Sequence, residues 1–274
     1  MAFNSYENVE TIMSEDIPPL IIMHGLFGSK SNWNTIAKTI HNSLKRKVVA
    51  VDARNHGESP HAKDFSYRHL AADLRLLLNE LEIKKACLLG HSMGGRAVMT
   101  FGLLYPELVD KMVVVDISPI DTSLGMVNMK IYFDALLSVK FAENITLSQA
   151  RKSANEQLMQ WIPDNAIRQF LLTNLTQRDG GQFKWRVNIE SLSKVFQSQI
   201  MTFPCLSSTC YNPILFIGGL RSDYLRMDDH GAIRQLFPNA DFHYLDAGHW
   251  VHAERPEEFI SIVCNFITND TRRV

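Results

Sequence analysis

Short apolar runs alternate along this chain with longer segments whose apolar residues recur every three to four positions. The runs, rich in Val, Ile and Leu, lie at residues 20–23, 47–52, 86–90, 111–116, 213–218 and 241–245. The helical spacing occurs at 32–44, 67–81, 93–104, 232–237 and 257–267. Continuous apolar runs are typical of strands that are buried on both faces of a parallel sheet. The pattern therefore predicts strand–helix–strand units and a doubly wound α/β architecture.

This alternation stops after residue 117 and resumes at residue 213. No comparable strand pattern occurs in between, and apolar residues instead recur at helical spacing, at 126–139, 147–161, 166–175 and 189–196. We therefore expect residues 17–117 and 213–268 to form the α/β core and residues 118–212 to form a helical cap over it. The ends of the chain, up to about residue 16 and from residue 269, are expected to be loose.

The composition is that of a globular protein and excludes several functional classes. Of the 274 residues, 46% are hydrophobic and 21% are charged, which excludes an intrinsically disordered chain. The 28 basic and 29 acidic side chains leave a net charge of −1, and no basic block indicates nucleic-acid binding. The apolar runs are far shorter than the roughly 20 residues that span a bilayer. We therefore expect no nucleic-acid partner and no transmembrane segment.

The cysteines and the first residues bear on the compartment. Four cysteines are too few for a disulfide framework in a chain of this length, and none forms a Cys-X-X-Cys pair. No histidine clusters beside them at the spacing of zinc ligands, so we expect no metal site. The first sixteen residues carry four acidic side chains and neither Lys nor Arg, which opposes a secretory signal and a mitochondrial presequence. The default expectation is an intracellular, cytoplasmic protein.

The sequence GHSMG at 90–94 follows an apolar strand pattern and opens a helix. It matches the Gly-X-Ser-X-Gly nucleophile elbow, in which a sharp turn lifts a serine hydroxyl above the edge of a sheet. Glycines two residues before and two residues after the serine avoid side-chain clashes in the bend. The N-terminus of the next helix directs unpaired amides toward developing negative charge. Ser92 is therefore the candidate nucleophile.

A histidine and a glycine-rich turn supply two further candidates. His249 follows the last predicted strand, and the Ala-Gly dipeptide before it lets the ring reach over the carboxyl edge of the sheet, so it is the candidate base. The turn HGLFG at 24–28 follows the first strong strand, and its Leu26 amide is expected to form an oxyanion hole with the Met93 amide. If the loop register differs by one residue, Phe27 takes the place of Leu26.

The acid that would orient His249 has two candidates. It must accept a hydrogen bond from Nδ1 of the histidine, so we expect it at the end of a strand, beside the predicted histidine. Asp116 ends the strand that follows the elbow helix, and Asp223 follows the next strand along the chain. Both positions reach a histidine in this architecture, so spacing alone does not choose between them.

Five segments of the chain together resemble one branch of the α/β-hydrolase superfamily. They are HGLFGS at 24–29, VDARNHGESPH at 51–61, GHSMGG at 90–95, VVDISP at 114–119 and AGHWVHAERP at 247–256. The branch contains the α/β-hydrolase domain-containing protein eleven group and related bacterial small esterases. The resemblance runs from about residue 19 to residue 267. It implies an α/β-hydrolase fold, with a mostly parallel sheet flanked by helices and a helical cap insertion, and the activity of a serine ester hydrolase.

The resemblance also bears on the acid and on the compartment. Bacterial relatives use an Asp at the position of Asp116, helped by a Ser that matches Ser222, so the resemblance favours Asp116 over Asp223. Glu190 falls where some relatives carry an Asp, and it ranks third. The animal members are mitochondrial and are associated with diacylglycerol lipase activity, whereas no presequence is visible here. The location is therefore cytoplasmic from the sequence and mitochondrial by resemblance.

Sequence and resemblance together predict a cofactor-free serine carboxylic ester hydrolase. It would act on lipid-type esters, as a diacylglycerol lipase does, through a Ser-His-Asp triad and an acyl-enzyme. The expected partner is a small-molecule ester or lipid substrate, and the sequence does not identify a protein partner. Two alternatives stay open. One is a catalytically quiet binding or protective partner protein on the same fold, and the other is a hydrolase of small non-lipid esters or thioesters.

Overall fold

The structure, a computed structural model, describes residues 1–8, 17–120, 123–177 and 180–269. Its strands are β1 (Phe3–Tyr6), β2 (Leu20–Met23), β3 (Val48–Val51), β4 (Ala86–His91), β5 (Val109–Val115), β6 (Leu175–Gln177), β7 (Phe183–Trp185), β8 (Ile214–Gly219) and β9 (Ala240–Leu245). Its helices are α1 (Asn34–Leu44), α2 (Tyr67–Glu80), α3 (Met93–Leu104), α4 (Leu124–Ser138), α5 (Leu147–Leu158), α6 (Asn165–Leu172), α7 (Ile189–Val195), α8 (His230–Leu236), α9 (Val251–Glu254) and α10 (Pro256–Thr268). Every strand and helix predicted for the core is present, with its ends shifted by one or two residues at most.

In the described part of the chain, seven strands form one sheet in the order β1-β3-β2-β4-β5-β8-β9. Every neighbouring pair in this sheet is parallel except β1 and β3. Because helices return the chain to the starting end of each parallel strand, the carboxyl ends of these strands meet at one edge. The predicted fold class, a mostly parallel sheet flanked by helices, is confirmed.

Both faces of the sheet are covered by helices, as the continuous apolar runs predict. All four residues of β2 are buried, and they alternate between two apolar clusters. Leu20 and Ile22 belong to the cluster that contains residues of α1 and α10. Ile21 and Met23 belong to the cluster that contains residues of α2 and α3. Burial of an aliphatic side chain of this size contributes roughly 1.5–3 kcal/mol, so one strand stabilises two layers.

The N-terminus differs from the prediction of a loose end. Residues Phe3–Tyr6 form β1, which pairs antiparallel with β3 at the edge of the sheet. The segment FNSY has no apolar run, and its residues alternate between exposed and partly buried positions. Backbone hydrogen bonds to β3 therefore hold this strand, and such bonds leave no hydrophobic pattern in a sequence. The rest of the predicted loose N-terminus, residues 9–16, lies outside the described residues, as does 270–274 at the other end.

Between β5 and β8 the chain forms the helices α4 to α7, as the helical spacing predicts. A feature that the sequence did not predict is the antiparallel pair of β6 and β7. Each of these strands has three residues, which is too short for a two-residue alternation to be recognised. We call residues 118–212, as far as they are described, the cap. The division of the chain into core and cap stays a prediction.

The cap packs against the side of the sheet that carries α2 and α3. Its buried residues Phe133, Leu171 and Leu192 belong to the same apolar cluster as Phe27 and Met93 of the core. This cluster continues from the sheet into the cap helices, which places the cap next to the carboxyl edge of β2 and β4.

Candidate active site

Ser92 lies in the tight turn between β4 and α3. Its backbone has φ 53° and ψ −117°, a conformation that costs energy for any residue with a side chain. A Cβ at Gly90 would lie 2.2 Å from the carbonyl oxygen of Gly94, and a Cβ at Gly94 would lie 2.3 Å from that of Met23. Only glycine fits at these two positions, as the elbow motif predicts.

Asp116 follows β5 directly and is fully buried, with a φ of 48°. Its Oδ2 accepts a hydrogen bond from Nδ1 of His249 at 2.7 Å and another from Oγ of Ser222 at 2.5 Å. Its Oδ1 accepts a third from the Gly219 amide at 2.9 Å. Three donors therefore hold the carboxylate in one orientation, facing the imidazole.

The imidazole of His249 is held between two groups. Its Nδ1 donates to Asp116, and the ring of Tyr224 stacks on its face with the centroids 3.8 Å apart. Because the proton lies on Nδ1, Nε2 carries the lone pair, and this buried atom has no hydrogen-bond partner within the described residues. Ser92 and His249 line the same cavity. An imidazole in this tautomer is able to accept a proton from a serine hydroxyl.

The other two candidate acids lie away from the imidazole. Asp223 is exposed, and its Oδ2 accepts a hydrogen bond from the Gly125 amide in the first turn of α4, at 3.3 Å. Glu190 is exposed in the first turn of α7. In the part of the chain that the structure describes, neither carboxylate forms a hydrogen bond or an ion pair with His249. Of the three candidates, the structure brings only Asp116 to the histidine.

The loop of residues 24–28 runs beside the elbow. A Cβ at Gly25 would lie 3.2 Å from the Cβ of Ser92, so the loop backbone contacts the serine closely. The Gly28 amide closes the turn by donating to the Gly25 carbonyl at 3.0 Å. Met93 opens α3 on the other side of the serine, where the first amides of a helix have no intrahelical acceptor. Two sets of amides therefore border the serine hydroxyl, as the oxyanion-hole prediction requires.

The structure distinguishes the two amides that the sequence left as alternatives in this loop. The Phe27 amide donates to Nε2 of His56 at 3.3 Å, which engages it inside the protein. The Leu26 amide forms no hydrogen bond among the described residues. This geometry leaves the Leu26 amide, rather than the Phe27 amide, available to a ligand.

The cavity above Ser92 and His249 has a volume of about 40 Å³. This volume accommodates only a few water molecules, since one water needs roughly 10–15 Å³ on this measure. Most of the side chains that the cap and the adjoining loop contribute are apolar or aromatic, namely Met129, Tyr132, Ile167, Phe170, Leu171 and Trp250. An acyl chain therefore enters only when some of these side chains move, and it then meets an apolar wall.

Sequence reasoning missed three residues that contact the site. They are Tyr224, which stacks on His249, His56, which hydrogen-bonds the Phe27 amide, and Asn174, which hydrogen-bonds the Phe27 carbonyl. Tyr224 follows Ser222 by two positions, and this proximity is the only local signal for it. The other two contacts join residues 29 and 147 positions apart, and no local pattern marks either of them.

Comparison with known proteins identifies the family of this chain. The model of the alpha/beta hydrolase fold family matches residues 18–256, which is most of the chain. The chain belongs to the α/β hydrolase fold family. The sn-1-specific diacylglycerol lipase ABHD11 of Danio rerio is 46% identical over 92% of this chain and 79% of its own length. The protein of the same name from Mus musculus is 42% identical over 92% of this chain and 81% of its own length.

The fold of this chain also matches a solved esterase structure. It is named as a marine microorganism esterase, is 34% identical and superposes with a TM-score of 0.86 over 97% of this chain and 98% of that one. The chain is therefore a hydrolase of this family, as predicted, and the predicted resemblance to the diacylglycerol lipase group is confirmed.

The sequence predicts that this α/β hydrolase has no transmembrane segment and no metal site. Within the described ranges, no helix has the length and apolar character needed to cross a membrane. In the same ranges, no three side chains of the His, Cys, Asp or Glu type are grouped so as to hold a metal ion. The predictions of no metal and no cofactor stay predictions.

Four further histidines of this α/β hydrolase are buried near the site. Burial lowers the pKa of His56 and of His252 to about 3, and it lowers the pKa of His24 and of His91 below its ordinary value. The cause is that a low-dielectric surrounding disfavours the charged imidazolium. All four rings are therefore neutral at pH 7, and none of them adds a positive charge beside Ser92.

We expect the free energy of unfolding to decrease as the pH falls below about 6.5. In the unfolded chain the four histidines bind protons below their ordinary pKa of 6.5, whereas folded His56 and His252 stay neutral down to about pH 3. Each buried histidine therefore removes up to about 1.4 kcal/mol of unfolding free energy per pH unit in this window. Urea unfolding between about pH 7.5 and about pH 5 measures the slope, before most carboxylates titrate.

Two substitutions test the assignment of this slope. His252→Gln is expected to lower the free energy of unfolding at neutral pH. It should also reduce the slope of this free energy against pH by the contribution of one histidine. His69→Gln removes a histidine at an exposed position and serves as the comparison variant. An unchanged slope in His252→Gln would show that other groups cause the acid sensitivity.

Proposed function

We propose that this chain hydrolyses acyl ester bonds of diacylglycerol-type lipids, with Ser92 as nucleophile, His249 as general base and Asp116 as the acid of the triad. The observation that carries this proposal is the hydrogen bond from His249 Nδ1 to buried Asp116, beside a serine in a nucleophile elbow. The names of the relatives at 46% and 42% identity support the substrate class.

The geometry supports the following sequence of steps. His249 Nε2 removes the proton of the Ser92 hydroxyl while Oγ attacks the ester carbonyl. The Leu26 and Met93 amides stabilise the resulting oxyanion, and the protonated imidazole then gives its proton to the leaving alcohol. A water molecule activated by the same imidazole finally hydrolyses the acyl-enzyme.

Asp116 stabilises the imidazolium that forms in each half of this reaction. Its position depends on a second hydroxyl, because Ser222 Oγ donates to the same Oδ2 as His249. Ser222 therefore supports the acid and does not compete for the substrate. This arrangement agrees with the helper role that the resemblance implies.

The apolar cap side of the cavity favours an acyl chain over a polar substrate. Met129 and Ile167 come from two different cap helices, so the acyl group would lie between α4 and α6. The free hydroxyl and second acyl chain of a diacylglycerol would extend toward the cavity mouth. Small non-lipid esters or thioesters fit the same chemistry, and the choice between them depends on measured substrate preference.

The test combines active-site titration with a substrate series. A fluorophosphonate probe is expected to label about one site per chain. The protein is then expected to hydrolyse diacylglycerol faster at the sn-1 than at the sn-2 position, and long p-nitrophenyl esters faster than p-nitrophenyl acetate. Labelling without turnover of any ester would support the quiet binding protein. Turnover of acetyl esters or thioesters alone would support the small-substrate alternative.

Three expectations about this chain are separate from the proposed ester hydrolysis. An intracellular location, cytoplasmic or mitochondrial, is still an expectation from the sequence and the resemblance. The expected absence of a nucleic-acid partner and of a cofactor also stays an expectation. Each is independent of the ester chemistry proposed here.

A further inference from the structure

A cap side chain holds the 24–28 loop from outside the core. Asn174, between α6 and β6, donates from Nδ2 to the carbonyl oxygen of Phe27 at 2.7 Å. The same nitrogen also contacts the Leu171 carbonyl at 3.3 Å, which fixes the side chain in its own loop. Asn174 is only 4% exposed. Because water does not compete at such a site, this bond between cap and core is expected to be strong.

Phe27 needs such support because of its backbone conformation. Its φ is 62°, in the left-handed region that bulky residues rarely adopt. His56 Nε2 accepts a hydrogen bond from its amide, Asn174 Nδ2 donates one to its carbonyl oxygen, and its ring packs on Phe133 of α4 with the centroids 4.7 Å apart. A strained residue persists only where its surroundings over-determine it, and the cap supplies two of these three contacts.

The anchored conformation of Phe27 helps to hold the turn that contains the Leu26 amide. Leu26 and Phe27 are the two central residues of the turn that the Gly28 amide closes on Gly25. If Phe27 left this conformation, the peptide between Leu26 and Phe27 would rotate, the hydrogen bond from the Phe27 amide to His56 would break, and the Leu26 amide would no longer be held in its place in the turn. An oxyanion donor works only at 2.7–3.1 Å from the developing charge, and a displacement of about 1 Å costs up to about 100-fold in rate.

We propose that Asn174 is a positioning residue for the oxyanion hole, through which the cap keeps the Leu26 amide directed at the tetrahedral intermediate on Ser92. Asn174 is absent from the cavity lining, so it acts through Phe27 and does not touch the substrate. The inference rests on the proposed function, since it assigns a role within the same ester hydrolysis.

The experiment compares Asn174→Ala and Asn174→Asp with a matched cap variant, Asn188→Ala. Asn188 also reaches from the cap to the core with its side-chain amide, which donates to Oδ1 of Asn55 at 3.0 Å and does not contact the 24–28 loop. The aspartate variant keeps the volume of Asn174 and replaces the donor with an oxygen that repels the Phe27 carbonyl.

The rate constant kcat is measured per titrated active site on a p-nitrophenyl ester, so partial misfolding does not lower it. Both Asn174 variants are expected to lose about 10- to 100-fold in kcat with little change in KM, because the contact acts in the transition state. Asn188→Ala is expected to stay within about threefold of wild type, in line with a contact that does not reach the oxyanion hole.

A pair of inhibitors separates positioning from a general loss of structure. A trifluoromethyl ketone adds to the serine and places an oxyanion in the hole, whereas the matched methyl ketone binds without forming the adduct. For the Asn174 variants, the inhibition constant of the trifluoromethyl ketone should rise by the same factor as kcat/KM falls. The inhibition constant of the methyl ketone should stay constant. A purely structural role would weaken both ligands together.

Three outcomes would overturn the proposal. They are a wild-type kcat per site in both Asn174 variants, an equal loss in Asn188→Ala, and parallel weakening of the two ketones. Failure of the proposed function gives a different result, since the wild-type protein itself would then take no fluorophosphonate label or turn over no ester. The two failures are therefore distinguishable in one set of assays.

Discussion

Ser92→Ala is expected to remove ester hydrolysis and fluorophosphonate labelling together, with kcat falling on the order of 10⁴- to 10⁶-fold. The variant lacks the oxygen that forms the acyl-enzyme, and within the described residues no group that could replace it is hydrogen-bonded to His249 Nε2. The fold should persist, because alanine adopts the strained turn at much the same cost as serine and the two elbow glycines remain. Thermal unfolding of wild type and variant checks this, and single-turnover assays measure the residual rate.

A matched serine controls for damage to the elbow helix. Ser208 Oγ donates to the Leu103 carbonyl at 2.8 Å, near the end of α3 opposite to Ser92. Ser208→Ala removes a hydroxyl that contacts the same helix and should leave kcat within about twofold, since it touches no group of the site. Labelling that survives in Ser92→Ala would place the nucleophile elsewhere and contradict the assignment.

Asp116→Asn is expected to lower kcat by about 10⁴-fold with little change in KM. The carboxylate accepts a hydrogen bond from Nδ1 of His249, whereas the amide nitrogen of asparagine would donate one toward Nδ1. The imidazole would then carry its proton on Nε2 and would be unable to accept one from Ser92. Active-site titration against time should show slow labelling of a folded protein, and thermal unfolding should report on the packing around the buried amide.

The alternative acids provide the controls for this substitution. Asp223→Asn changes an exposed carboxylate that accepts from the Gly125 amide, and Glu190→Gln changes an exposed residue of α7. Both variants should keep kcat within about threefold of wild type, because neither touches the imidazole. The opposite result, with the large loss in Asp223→Asn and near-normal activity in Asp116→Asn, would transfer the acid role to Asp223.

The prediction of the sheet and its flanking helices succeeded because its signal is local. A strand buried on both faces needs an apolar residue at every position, and LIIM at 20–23 meets this requirement without reference to the rest of the chain. The edge strand β1 carries no such requirement, since FNSY is half exposed and is held by backbone bonds to β3. The hairpin of β6 and β7 was missed for the related reason that three residues do not establish a period.

The elbow turn and the position of the candidate base were also readable from the sequence. A strained turn tolerates only glycine where a Cβ would clash with the opposing backbone. The glycines of GHSMG at 90–94 therefore predict the tight turn from the sequence alone. His249 follows the last strand of the sheet, and chain order after the elbow points to it. The structure places both residues on one cavity, where the sequence predicts them.

Only the folded chain shows which candidate acid lies beside the histidine. Asp116 and Asp223 both follow strands of the sheet, and sequence spacing treats them alike. The loop after β8 turns so that Ser222 reaches Asp116 while Asp223 points to the first turn of α4. Ser222 and Asp223 are adjacent, and the conformation of their loop decides which of the two side chains faces Asp116. Loop conformations depend on contacts that are distant in sequence.

The sequence by itself determined the layered α/β core, the nucleophile elbow and the position of the histidine, because each follows from a short pattern with a steric or hydrophobic cause. Only the tertiary structure decided that Asp116 meets His249 across 133 positions, and that Asn174 holds Phe27 across 147. In the sequence, Asn174 is only the first residue of an Asn-Leu-Thr triplet. Its contact exists because the cap folds back onto the carboxyl edge of the sheet, and no local pattern encodes where two distant loops touch.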